Sequence, residues 1–579
     1  MAGSAFFMAC AILVLFGFCV EAELVQHTFK VSNMMVRRYC KNKTITVVNG
    51  EYPGPTITAH EGDSLAIQVI NESPYNISIH WHGIFQRMTP WADGPNYITQ
   101  CPITPGNSYT YKFNVVGQEG TLWWHAHVSV LRATVYGALI ILPRAGVVGY
   151  PFPNPHKEET ILLGEWWKAD VITLQNRALA SGSAFNISDA YTINGHLGDL
   201  YRCSNKHTHK LEVEQGKSYL LRIINAALNT QFFFKIAGHR LTVVAADASY
   251  TSPFSTDTIA IAPGPTIDAL LHADSHPSNY YISALTYASS PAIPFDKAAS
   301  PYASAPPSAS PFDNTTTVAV LSYKSSPPSS SPPIMPPLPA FNDTPTAHHF
   351  YSNLTALHPN SVPLQIDQRM FVAFGLGLTP CSVNQPLCRG NAISASMNNI
   401  SFSFPTTVSM LEAHFRKIRG VYTKDFPNRP LVAFDFSNPS VNNQGSFQLT
   451  DKGTKVKKLK YNETVEVVLQ NTAVLAAENH PLHLHGYNFY VVAQGFGNYN
   501  KKEARKNYNL VNPQERNTIA VPVGGWAVIR FRADNPGLWI MHCHLDGHLS
   551  LGLAMVFEVG NGPTPSTTVP PPPQDYPTC

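Results

Sequence analysis

The chain has 579 residues, 44% of them hydrophobic and only 13% charged, against about 25% charged in an average soluble protein. Forty Lys and Arg face 37 Asp and Glu, and the net charge of +3 offers no basic field for gripping nucleic acid. With 36 Gly, 48 Pro and 11% aromatics the composition favours strands and turns, which excludes a coiled coil, a disordered tail protein and a polybasic nucleic-acid binder.

Residues 1–22 read as an address. Ala5 to Val20 is an apolar run, and Val20-Glu21-Ala22 is a small-residue cleavage pattern. The alternative is an uncleaved anchor, but spanning takes roughly 18 or more apolar residues and no basic stop-transfer cluster follows. The expected product is secreted and extracellular, with no membrane attachment after signal cleavage.

Of nine Cys, Cys10 and Cys19 leave with that segment. Cys40, Cys101, Cys203, Cys381, Cys388, Cys543 and Cys579 remain, an odd number that asks for one thiol with another task in an oxidising compartment. Asn-x-Ser/Thr sequons at Asn42, Asn71, Asn76, Asn186, Asn314, Asn342, Asn353, Asn399 and Asn462 predict N-linked glycans on surface loops. Those at Asn71 and Asn342 are weaker, because Pro follows Ser73 and Thr344.

One unit recurs three times. Ser64–Asn71, Ser218–Asn225 and Thr464–Asn471 are strand-like runs ending in Asn. Each is followed by a turn and an alternating strand pattern: Pro105-Gly106, Pro263-Gly264 and Val523-Gly524-Gly525 introduce the three. The chain is therefore all-β, with three β-sandwich domains at 23–148, 155–325 and 346–562. A Pro/Ser-rich linker at 326–345 is expected to be extended and unpacked, and the tail at 563–579 to be tied down.

Ten of the 23 His fall into four clusters: His80-Trp-His82, His125-Ala-His127, His480-Pro-Leu-His483-Leu-His485 and His542-Cys-His544-Leu-Asp-Gly-His548. Residues i and i+2 of a strand share a face, so each His-x-His offers two imidazoles side by side. Four such pairs can cage several metal ions. Eight imidazoles are too many for one tetrahedral zinc, and no Cys-x-x-Cys pair is present. His480, Cys543 and His548 remain after the pairs are assigned. A trigonal His₂Cys site is a blue-copper centre, and its axial position falls at Leu553, which cannot ligate and so favours Cu(I). Cys543 lies covalently between His542 and His544, a short route for an electron from the thiolate into the cluster.

These motifs resemble the multicopper oxidases, and within them the plant-type laccases. The resemblance rests on His80-Trp-His-Gly with Asp93-Gly94 and Gln100-Cys-Pro-Ile103, on Gly120-Thr-Leu-Trp-Trp-His-Ala-His127, on His480-Pro-Leu-His-Leu-His-Gly486 and on Asn535-Pro-Gly-Leu-Trp-Ile-Met-His-Cys-His-Leu-Asp546. Gly547 and Ser550-Leu551 depart from the bulkier residues common there. The resemblance implies three cupredoxin-like Greek-key sandwiches and four copper ions. It assigns His480, Cys543 and His548 to type 1, His80 and His483 to type 2, and His82, His125, His127, His485, His542 and His544 to the type 3 pair. It also implies the disulfides Cys40–Cys203 and Cys101–Cys579, with Cys381–Cys388 closing a local loop. The second domain carries none of the His pairs and reads as a spacer and a wall of the substrate pocket.

The implied reaction is one-electron oxidation of small phenolic substrates (monolignols, flavonoids or lignin-derived phenols) coupled to reduction of O₂ to water, by a monomer in the apoplast or cell wall. Proton delivery points to Asp93 and Asp546, whose plainer roles are a turn residue and a partner orienting an imidazole. Leu553 argues against ascorbate oxidase, whose pattern has Met there. The alternatives are a metal oxidase, disfavoured because no acidic cluster flanks 480–486 or 548–553, and a non-catalytic wall protein, disfavoured because all eleven ligands are present.

Overall fold

The computed structural model describes residues 22–144, 149–201, 203–204, 207–288, 315–326, 332–438, 441, 449–472, 474–475 and 478–579. All of the expected signal peptide except Ala22, the sequon at Asn314 and residues 327–331 of the linker lie outside these.

The three repeated runs are strands with equivalent partners. Ser64–Asn71 lies parallel to Leu24–Arg38 and antiparallel to Ser108–Asn114. Ser218–Asn225 sits in the same way between Lys157–Trp166 and Thr266–His272, and Thr464–Asn471 between Gln368–Pro380 and Gly525–Arg532. The strand-final Asn does the same work in each copy. Asn71 Nδ2 donates to the carbonyls of Tyr75 and Ile103, Asn225 Nδ2 to those of Thr230 and Ile261, and Asn471 Nδ2 to those of Glu478 and Pro522. One buried amide thus ties the loop leaving the strand to a later segment of the same unit, satisfying carbonyls that burial would otherwise strand.

Among the described residues each repeat builds two sheets: four and four strands in the first unit, six and five in the second, eight and five in the third. Their facing sides enclose three separate cores. Phe29 and Ile67 meet Trp81 and Leu139 in the first, Ile161 and Leu221 meet Phe233 and Ile282 in the second, and Val467 and Ile529 meet Leu482 and Met541 in the third. Ser64–Asn71 alternates, with Leu65, Ile67 and Val69 inside, each worth about 1.5–3 kcal/mol of burial. Thr464–Asn471 is buried on both faces because Val468 enters a further apolar layer with Val492, Trp526 and Val528 behind the sheet.

The linker differs from expectation. Ile334 pairs with the second sandwich, accepting from Tyr281 N and donating to Asn279 O. The helix Thr344–Ser352 that follows sends Ala347, Phe350 and Tyr351 into the second core. The segment is extended but not unpacked, because its few apolar side chains are buried better against a neighbouring sandwich than left in water. The tail is fixed along the first and third units: Pro570 O accepts from Trp91 Nε1, the Tyr576 hydroxyl donates to Thr99 O and lies 2.6 Å from Ser409 Oγ, and Cys579 is bonded to Cys101. Cys40–Cys203 ties the first unit to the second, and Cys381–Cys388 closes a short loop. Cys543 is free and buried. No helix among the described residues is long and apolar enough to cross a membrane.

Candidate metal centres

Strand pairing carries the His clusters to one place. His80 and His82 lie on Ile79–His82, which runs antiparallel to Gly120–Ala126 with His80 opposite His125. His480 and His483 lie on His480–Leu484, antiparallel to Gly537–Cys543, with His483 opposite His542 and Leu482 opposite Cys543. Within each His-x-His pair the ring centroids are 5.7, 5.8, 4.6 and 5.7 Å apart, taking the pairs in chain order. The pairs of the first unit then meet those of the third: His80 Nε2 is 3.4 Å from His483 Nε2, His82 Nδ1 is 3.1 Å from His544 Nε2, and the His127 ring is 5.3 Å from those of His485 and His542, which themselves approach to 3.1 Å between Nε2 atoms.

Donor atoms within 4.8 Å of one another form the groups His82/His125/His544, His127/His485/His542 and His480/Cys543/His548; His80 and His483 meet in a further group with His82. Cys543 Sγ stands 3.6 Å from Nδ1 of both His480 and His548. Leu553 is fully buried beside it, its carbonyl accepting from Cys543 N.

The outward nitrogens are pinned, which fixes the tautomers. His80 Nδ1 donates to Asp93 O at 2.7 Å, His485 Nδ1 to Asp93 Oδ2 at 3.0 Å, and His125 and His542 Nδ1 to the carbonyls of Ala126 and Cys543, both at 2.9 Å. His82 is reversed: its Nε2 faces Asn517 Oδ1 and Thr518 Oγ1, leaving Nδ1 toward the cluster. Burial holds His82, His125, His127, His483, His485 and His544 well below the ordinary imidazole range, and His480 and His542 down to about 3. Neutral rings with lone pairs directed at one another, and a buried His125 Nε2 with no hydrogen-bond partner, are what metal ligation would satisfy. The residues fit copper, since imidazoles with one thiolate form the donor set.

His548 behaves differently. Burial alone would lower it, but the Glu478 carboxylate, 3.3 Å from Nε2, and Cys543 outweigh that and push it up to about 10. Its side chain is 13% exposed and that of Glu478 34%, so this pair forms the solvent-facing edge of the thiolate site.

Asp93 is fully buried and serves His80 and His485 together, combining its turn position with the orienting role. Asp546 lies with His125 and His127 on a cavity of about 250 Å³. Burial raises its carboxyl to about 6 against the opposing Arg132, 3.5 Å away.

Four contributors escaped the sequence reading. Glu478 flanks His480 as a lone acid rather than a cluster, and only the fold brings it to His548. Arg132, a charge within the run Leu131-Arg-Ala-Thr-Val135, was a visible signal: its guanidinium lies against His544, Nη2 donating to His544 O. Asn517 and Thr518 carry no motif of their own.

Multicopper oxidase family models match residues 30–146, 157–326 and 424–563. The chain is 57% identical to Laccase-7 of Arabidopsis thaliana over 99% of both chains, and 54% identical to Laccase-25 of Oryza sativa subsp. japonica over 96% of both. Among solved structures, the laccase from Botrytis aclada superposes with a TM-score of 0.72 at 26% identity, covering 95% of this chain and 89% of that one. Fet3p, a multicopper oxidase that functions in iron import, gives 0.69 at 23% over 93% and 90%, a likeness of fold alone. Three sandwiches around clustered His and one Cys thus define a copper oxidoreductase with cupredoxin-like domains. The chain belongs to the multicopper oxidase family, among its laccases, and uses four coppers, one of type 1, one of type 2 and two of type 3.

Proposed function

We propose that this laccase oxidises small phenols, with type 1 copper held by His480, Cys543 and His548, type 2 by His80 and His483, and the type 3 pair by His82/His125/His544 and His127/His485/His542. The observation that carries the assignment is the convergence of eleven donor residues from two ends of the chain into groups of the right chemistry. Copper at these positions supplies one-electron redox chemistry, four electrons from four phenols reducing one O₂ with four protons to two waters.

The chain's own residues do the rest. The His548 edge lies where a phenol can approach, while burial keeps O₂ chemistry away from that surface. Asp546, protonated below about pH 6 and lining the cavity that reaches His125 and His127, is placed to give up protons to reduced oxygen. Asp93 orients two imidazoles and acts as a positioning residue. Oxygen uptake on a methoxyphenol that disappears in Cys543→Ser supports this reading. A copper-replete protein that takes up no oxygen with phenols overturns it, and Glu478 beside His548 makes Fe(II) the donor to try next.

The units are taken as 23–148, 155–325 and 346–562. Cleavage after residue 22, secretion to the cell wall, a monomeric state and N-glycans belong to the same proposal. Exposed Asn42, Asn76, Asn186, Asn353 and Asn462 suit glycosylation. Asn71 is fully buried with its amide engaged, so that sequon is structural.

A further inference from the structure

The second sandwich supplies none of the paired His, yet one of its turns reaches the ligands. Ala246 and Ser249 pair across a two-residue turn in which Asp247 and Ala248 both adopt left-handed backbone, φ 51° and 55°. For Ala that conformation costs roughly 1–2 kcal/mol, and such strain persists where surrounding contacts over-determine it. Here they do. The Asp247 carboxylate, 1% exposed, accepts from Thr266 N at 2.9 Å, Arg516 Nε at 2.8 Å, and Asn517 N and Thr518 N at 3.3 Å each.

The segment so gripped faces two imidazoles from different units. His483 Nδ1 donates to Asn517 O at 2.9 Å and stands 3.0 Å from Thr518 Oγ1. His82 Nε2 lies 3.1 Å from both Asn517 Oδ1 and Thr518 Oγ1. The Thr518 hydroxyl donates to Asn517 Oδ1, so its lone pairs are free to accept from both rings. His82 therefore presents Nδ1 inward and His483 presents Nε2, the atoms that stand against His544 and His80. His80, His125, His485 and His542 donate their outward nitrogens to carbonyls or a carboxylate within the first and third units, and His544 Nδ1 faces Arg132 Nη1 at 3.1 Å. For His82 and His483 the anchor runs through Asn517-Thr518 to a carboxylate of the second.

We propose that Asp247 is a positioning residue for the three-copper cluster: a second-domain carboxylate that fixes the Arg516–Thr518 backbone and, through it, the tautomers and aim of His82 and His483. This rests on the ligand assignment above. It gives the second domain a part in copper chemistry beyond that of a spacer.

The test compares the copper-loaded full chain with Asp247→Asn, which keeps size and loses charge, with Thr518→Val, which removes only the shared hydroxyl, and with Asp257→Asn, a carboxylate of the same domain paired with Lys235 near the surface. The readouts are copper per chain, the thiolate–Cu(II) visible band, the type 2 EPR signal, and stopped-flow reduction and reoxidation. Asp247→Asn is expected to keep the visible band and its rate of bleaching by a methoxyphenol. Its type 2 hyperfine splitting changes, and cluster copper affinity or reoxidation falls about 10–100-fold. Thr518→Val shows the same signature more weakly, and Asp257→Asn shows none. A lower melting temperature with wild-type EPR and reoxidation would reduce Asp247 to a fold stabiliser and overturn the proposal. If Asp247→Asn does not fold, Thr518→Val decides alone, and an unchanged cluster signal in it is refuting. Failure of a phenol to bleach the wild-type band would count against the proposed substrate and leave the EPR comparison intact.

Discussion

Replacing Gly94 with Ala would disturb two cluster imidazoles through one backbone atom. Gly94 has φ +97°, and a Cβ there would lie 1.9 Å from the Ile79 carbonyl oxygen, 2.6 Å from its carbon and 3.1 Å from His80 Cα. These are backbone atoms of the strand that carries His80, so no side chain can swing aside. Restoring an ordinary contact requires the Asp93-Gly94 turn and that strand to separate by about 1 Å, and the left-handed conformation adds roughly 1–2 kcal/mol. The bonds stretched are Asp93 O to His80 Nδ1 at 2.7 Å and Asp93 Oδ2 to His485 Nδ1 at 3.0 Å. A misplacement of about 1 Å at a reacting centre costs on the order of 100-fold in rate, and loss of a partner that orients a ligand costs about 10–100-fold in metal affinity. Gly94→Ala is therefore expected to lose type 2 copper and about 99% of oxygen uptake while keeping the thiolate–copper colour, since His480 and Cys543 are held by other strands and His548 by the short helix Asp546–Ser550. Metal analysis, the visible spectrum and an oxygen electrode read all three. A variant with its full copper complement and unimpaired uptake would refute the reasoning.

Asn225→Ala leaves two buried carbonyls without their donor and is expected to cost about 2–4 kcal/mol, read as a lower denaturation midpoint. Asn71→Gln should leave the glycan mass unchanged and Asn76→Gln should lower it, as mass spectrometry will report; a mass loss in the former would contradict the burial of Asn71. Asp546 holds its proton below about pH 6 and loses it above, so turnover limited by O₂ reduction should fall as pH rises through that value. Asp546→Asn should be about 10–100-fold slower with a flat profile there, by initial rates of oxygen uptake. Leu553→Met brings a thioether to the axial side of Cys543 and should lower the type 1 potential and slow oxidation of the less readily oxidised phenols, measured by redox titration.

The repeated strands and the paired His were legible in the sequence alone, because both depend on short-range periodicity. Alternating apolar residues make Ser64–Asn71 a strand wherever it packs, and a two-residue repeat puts His80 beside His82 whatever lies opposite. Counting left one thiol over among seven, and His480 and His548 stood outside the four His-x-His pairs. Tertiary structure decided what depends on residues far apart in the chain. Which imidazole nitrogen faces inward is set at His82 by Asn517 and Thr518, 435 and 436 residues away. The protonation of Asp546 reflects burial opposed by Arg132. The linker rests on the second sandwich because Ile334 finds a strand edge there. Asp247 belongs to none of the motifs in the chain. Only the packing of the second sandwich against Arg516 withdraws its carboxylate from water, and a buried charge must then bind every donor within reach, including the segment that aims two of the ligands.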